Sequence, residues 1–199
     1  MAQMPIRCAL KPFLRNEHGS ISIEFCIVFP LLLFITTNGL AFWDAFQSNS
    51  KTAKVAYTIS DIMSRYDAVG NTETAYLFAL QNKMLPLDLT QQTMRITSIC
   101  FEDGLYRVMW SFTAGTDDTD APDPMTDEFI PLALMPELDP QDSVILTEVA
   151  AHWEPHLHVG VQPMTWRSAL VTTPRFKKMI PHSGLNGSNI CPDAPPPTT

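Results

Sequence analysis

The chain reads as an α+β protein: a long N-terminal helix that starts as a membrane span and continues past it, then a small antiparallel sheet. Three observations predict this. An uncharged apolar run fills residues 25–43. Beyond it, apolar residues recur at steps of three and four as far as Tyr66, the period of a helix that buries one face. From Met94 onward the period changes to two, the alternation of a half-buried strand. Helices first and strands afterwards make an α+β layout with antiparallel pairing.

The apolar run of about 19 residues gives a helix of roughly 29 Å at ~1.5 Å per residue, which matches a hydrocarbon core of ~30 Å. Arg7, Lys11 and Arg15 precede it against a single Glu17. That positive flank stays in the cytoplasm and sends the rest of the chain to the far side. Trp43 stands where an aromatic belt holds the outer interface. Pro30 lies inside the run and has no backbone donor, so the carbonyl of Cys26 loses its helical partner. This serves either as a kink for packing between subunits or as an ordinary membrane proline. Glu24 sits near the start of the span, and an intramembrane carboxylate is costly enough to imply a role. Two other readings compete: a plain signal-anchor with an incidental Glu24, and a secretory signal cut near Gly39-Leu40-Ala41.

Past the membrane, Val55, Ile59, Ile62, Met63 and Tyr66 form one apolar stripe, with Lys51, Lys54, Asp61 and Arg65 as polar cover. Gly70 suits a helix stop, and Asn71 or Thr72 a cap for a second helix. That helix carries Tyr76, Leu80 and Met84 on one face with Leu77 beside them, and ends at Pro86. A strand follows in which Met94 and Ile96 point inward, and Asp103-Gly104 supplies the turn. On the return, Tyr106, Val108, Trp110 and Phe112 all fall on one face. A third strand is expected at Ser143–Trp153 and a fourth at residues 168–173. Residues 115–142 are an acidic, Pro- and Thr-rich linker with an apolar patch at 129–135. The organisation is therefore a leader (1–19), a span (20–46), extracytoplasmic helices (47–90), a β-rich domain (91–180) and a loose Gly-, Asn- and Pro-rich tail (181–199). A soluble fragment is expected to begin near Ser50.

Without residues 1–19 the net charge moves from −8 to −10, and no Lys or Arg lies between Arg107 and Arg167. A nucleic-acid interface needs a basic footprint, so none is expected. Of four cysteines, Cys8 belongs to the leader and Cys26 to the span. Cys100 and Cys191 reach the oxidising side, where a disulfide is the simplest state. Free thiols and an intermolecular bridge are the alternatives. A bond between them would pin the tail to the first strand.

Asp117, Asp118, Asp120 and Asp123 invite a calcium reading, but the turn glycine is missing and Pro122 and Pro124 interrupt the series. A solvated acidic loop is the expectation. His152, His156 and His158 are separated by Pro155, and Glu154 completes no zinc-protease motif. There is no phosphate cradle and no nucleophile elbow. The chain is expected to be neither an enzyme nor a carrier of a metal or cofactor.

The residues His18-Gly19-Ser20-Ile21-Ser22-Ile23-Glu24-Phe25 resemble the processing site of a type IV prepilin. Together with the leader Phe13-Leu14-Arg15-Asn16-Glu17-His18 and the block Cys26-Ile27-Val28-Phe29-Pro30-Leu31-Leu32-Leu33-Phe34, they most resemble the TadE-like minor pilins (pseudopilins) of tight-adherence pilus systems. The likeness is specific over residues 13–46. Beyond that it rests on residues 148–155 and on Thr172-Thr173-Pro174-Arg175-Phe176. It implies a pilin-like helix on a sheet, with cleavage between Gly19 and Ser20 by a prepilin peptidase. It also implies an assembly role for Glu24 and Phe25 in a pilus used for surface attachment. The implied partners are other pilins and minor pilins, an inner-membrane assembly platform and the lipid bilayer. The alternative function is a membrane-anchored extracytoplasmic binding module without processing.

Overall fold

The structure is a computed structural model that describes residues 20–85, 89–117, 120–155, 160–185 and 191. Helix α1, Ser20–Met63, runs for 44 residues without a break at Pro30, or about 66 Å at 1.5 Å per residue. Its first part is long and apolar enough to cross a membrane, and that stretch buries nothing against the rest of the chain. The polar residues there bond to their own helix. Thr36 and Thr37 Oγ1 donate to the carbonyls of Leu32 and Leu33, each at 2.8 Å, and Asn38 Nδ2 to that of Phe34 at 2.8 Å. Such back-bonding removes donors that lipid would leave unsatisfied.

The later part of α1 is a core element. Val55, Ile59 and Met63 are buried as the periodicity predicts, and Ser48, Thr52, Ala56 and Ser60 are buried beside them. Towards the bare stretch, Ala45 is buried on the same face, Asp44 bonds to Trp153 and Ala41 packs beside the core.

Helix α2, Asn71–Met84, is capped by Gly70, whose N–H donates to Glu73 Oε2 at 2.9 Å. Its buried residues are Thr74, Leu77 and Gln81, whereas Tyr76 and Met84 are exposed. The stripe of Tyr76, Leu80 and Met84 therefore does not face the core. A polar residue takes the inner face because Gln81 Nε2 donates to the carbonyl of Thr93 at 3.2 Å, which offsets the cost of burying that end of the amide.

Four antiparallel strands, β1 (Leu89–Glu102), β2 (Leu105–Gly115), β3 (Ser143–Trp153) and β4 (Met164–Thr172), form one sheet in the order β2-β1-β3-β4. β3 has the bounds the sequence predicts, and β4 starts four residues earlier than 168. Asp103 and Gly104 have φ of 50° and 80°, the doubly left-handed pair that closes a two-residue hairpin. The register slips between Ser98 and Ile99, where Ser98 pairs Trp110 and Ile99 pairs Val108. Met109 is the extra residue of a β-bulge. The bulge corrects the single-face reading of β2: Trp110 and Phe112 face the helices, while Tyr106 and Val108 pack on the opposite side.

Two layers of core result. Under α1 and α2 lie Met94, Ile96, Trp110, Ile145, Val149 and Trp153. On the other face, Ile99, Val144 and Leu146 are covered by Met125 and Ile130 of the linker. The linker is fastened along β2. Ser111 Oγ accepts from the N–H of Met125 at 3.0 Å, Asp127 Oδ1 from that of Val108 at 2.7 Å, and Tyr106 donates to the carbonyl of Pro136 at 2.7 Å. Its apolar patch is split, with Ile130 buried and Phe129, Leu132 and Leu134 exposed.

Candidate functional site

The residues singled out in the sequence fall on two parts of the molecule, the bare start of α1 and the clasp of the C-terminal segment. Gly19 lies outside the described residues, and Ser20 opens α1. Glu24 is exposed one turn into the helix. It makes no side-chain hydrogen bond or ion pair among the described residues. Phe25 stacks on Phe29 with ring centroids 5.1 Å apart and planes 20° from parallel. Around Glu24, Ile21, Ile23, Phe25 and Ile27 are all more than half exposed. An ionised carboxylate in this setting has no compensation among the described residues, and in lipid that costs a few kcal/mol.

At the base of the bare stretch the domain closes on the helix. Asp44 Oδ2 accepts from the indole N–H of buried Trp153 at 2.9 Å. Gly160, at φ 78°, lies so near Asn38 that a Cβ there would stand 2.9 Å from Asn38 Oδ1. Phe42, Trp43 and Phe46 stay exposed, an aromatic collar suited to a membrane–water interface. At the other end, Ser60 and Thr172 share a hydroxyl hydrogen bond, and Arg175 pairs with Asp61 while its N–H donates to the carbonyl of Ser64 at 2.9 Å. The Thr172–Phe176 segment is thus the strap that follows β4 back onto α1.

Cys100 and Cys191 are joined by a disulfide, with Cα atoms 5.9 Å apart and both residues buried. Cys26 is a free, exposed thiol. The chain from Ile180 to Leu185 is packed rather than loose. Trp110 Nε1 donates to the carbonyl of Ile180 at 2.8 Å, Val69 bridges His182, and His182 lies against the Trp110 ring. His182 Nδ1 accepts the N–H groups of Gly184 and Leu185, each at 3.0 Å. Its proton therefore sits on Nε2, which is buried and has no partner among the described residues. Burial lowers its pKa from the usual 6.5, and the charge of Glu73 opposes the shift.

Asp118, His156 and His158 lie outside the described residues. Among those described, no three His, Cys, Asp or Glu come together as a metal site. His152 is half-buried, with Nδ1 3.1 Å from Thr165 Oγ1.

A feature not foreseen is a groove of about 430 Å³ on the sheet face away from α1, lined by residues including Arg95, Asp120, Glu148, His152 and Arg167. Arg95 and Glu148 are register partners and form an ion pair. Their opposite charges on two predicted strands are visible in the sequence, but the strand order and register that join them are not. Arg167 directly precedes the expected start of β4, and in the sequence it marks only the end of a stretch without Lys or Arg. No family model, no curated protein and no solved structure matches the chain.

Proposed function

We propose that the chain is a minor pilin-like subunit, cut between Gly19 and Ser20, that joins or primes a tight-adherence pilus used for attachment. The observation that carries this reading is Glu24, an exposed, unpartnered carboxylate on a bare apolar helix whose remainder is built into a folded domain. Cleavage gives Ser20 a free α-amine, largely protonated at neutral pH. In a bundle of such helices, Glu24 of one subunit pairs with that amine on its neighbour. In lipid alone the carboxylate has no such partner, so the difference favours assembly and sets the register. The domain lies on the periplasmic side, held at the interface by the aromatic collar. A prepilin peptidase, other pilins and an inner-membrane platform are its partners.

N-terminal sequencing of the native protein is the test. A mature chain beginning at Ser20 supports the reading, and Gly19→Val should then leave the leader in place. A chain still beginning at Met1 favours the anchored binding module.

A further inference from the structure

The groove on the open sheet face pairs two unspent charges. Its floor is made of small residues, Ala150 and Ala169, in adjacent rows of β3 and β4. Arg167 lies directly across from Ala150, and His152 across from Thr165 one row further on. Glu148 lies one row the other way, across from Ala169, and the linker adds Asp120 to the lining. Arg95 is already committed, since it pairs with Glu148 and donates to the carbonyl of Asp123 at 3.2 Å. Arg167 and the Asp120 carboxylate are not: among the described residues neither makes a side-chain hydrogen bond or an ion pair. Both line the same cavity without meeting each other. The His152 Nδ1 contact with Thr165 leaves Nε2 for a ligand.

A cation and an anion kept apart over a small-residue floor complement a molecule that carries both charges. We infer that the groove binds a small zwitterion of the phosphoethanolamine type, with the phosphate on Arg167 and His152 and the ammonium on Asp120. A bare anion would meet the two carboxylates, and a bare amine the guanidinium, so each alone is disfavoured there. The cavity volume falls within the usual range for small-molecule sites, roughly 300–1,000 Å³. Two sources of this chemistry fit. Trp153 holds Asp44, one residue past the apolar run, and Arg167 sits three rows further along the sheet, roughly 10 Å at 3.4 Å per residue. That is near enough for a phosphatidylethanolamine headgroup as well as for a soluble ligand. The inference does not depend on processing at Gly19.

The test uses the full-length chain in an uncharged maltoside detergent, titrated with O-phosphoethanolamine and, separately, with inorganic phosphate, with binding read by calorimetry. A second arm compares nanodiscs of phosphatidylethanolamine with nanodiscs of phosphatidylglycerol, reading hydrogen exchange at residues 164–169. The expected result is phosphoethanolamine bound about tenfold tighter than phosphate, the scale of one charge-assisted hydrogen bond. Arg167→Gln should weaken both about tenfold, and Asp120→Asn only the zwitterion. Both side chains lie outside the two cores, and unchanged melting of the variants checks their folding. Protection confined to the phosphatidylethanolamine nanodiscs, and lost in Arg167→Gln, would assign the ligand to the bilayer. Equal affinity for the two soluble probes, equal protection by the two lipids, or no response in either arm would overturn the inference.

Discussion

Glu24 and His182 show how differently two ionisable residues can sit in one chain. Glu24 has no side-chain partner among the described residues, and the function proposed above gives it one on a neighbouring helix. Glu24→Ala should therefore insert as well as the parent or better, because an intramembrane charge is removed. Glu24→Gln keeps shape and hydrogen bonding without the charge. Both should yield inserted protein with fewer pili or less adhesion, and piliation equal to the parent in both would leave the carboxylate without a role in assembly. His182, in contrast, is engaged through Nδ1, which accepts two backbone N–H groups, and protonating it breaks both. Its folded pKa lies below 6.5, so the unfolded chain takes up the proton first as pH falls. Stability is thus unaffected well above pH 6.5 and is lost progressively below it. The melting temperature of the parent should drop between pH 7.5 and 5.5 by more than that of His182→Gln. Parallel curves for the two would remove His182 as the cause.

At the scale of elements, the join between α1 and the sheet includes a polar contact on a fully buried side chain, Trp153 on Asp44. Asp44→Ala strands the indole N–H of Trp153, which has no access to water, at a cost of about 1–3 kcal/mol. Asp44→Asn keeps an acceptor and should lose less. Urea unfolding of the detergent-solubilised chain would rank them, and equal losses would mean that the charge, not the hydrogen bond, matters. This contact also shows where sequence reading stopped. The stripe of Val55, Ile59 and Met63, the Asp103-Gly104 turn and the bounds of β3 were legible because each rests on local periodicity or local backbone geometry. The inner face of α2 was not, because Gln81 is buried through a partner on β1 that no periodicity reveals. Nor was the bulge at Met109, since one inserted residue leaves Tyr106, Val108, Trp110 and Phe112 alternating while turning half of them over. Of the candidate site, Glu24 and the Cys100–Cys191 pair could be named in advance. The groove could not, because it exists only once β1, β3 and β4 are in register.

For the whole molecule, the disulfide is the largest single constraint, closing a sequence separation of 91 residues. Replacing both Cys100 and Cys191 by Ser should cost about 2–5 kcal/mol and free the segment that carries His182, so the pH dependence of melting should flatten as well. A double variant that melts like the parent would mean that Trp110, Val69 and Ile180 hold the segment unaided. The same body is bound to α1 at both ends, by Trp153 on Asp44 and by Arg175 on Asp61, and α1 runs unbroken from Ser20 to Met63. Mechanically it is one shaft. Torque or tension applied near Glu24 passes straight into the sheet, and a turn of the bare end swings the folded domain through the same angle. Each residue added to the shaft between Asn38 and Asp44 would rotate its two ends against each other by about 100° and lengthen it by about 1.5 Å.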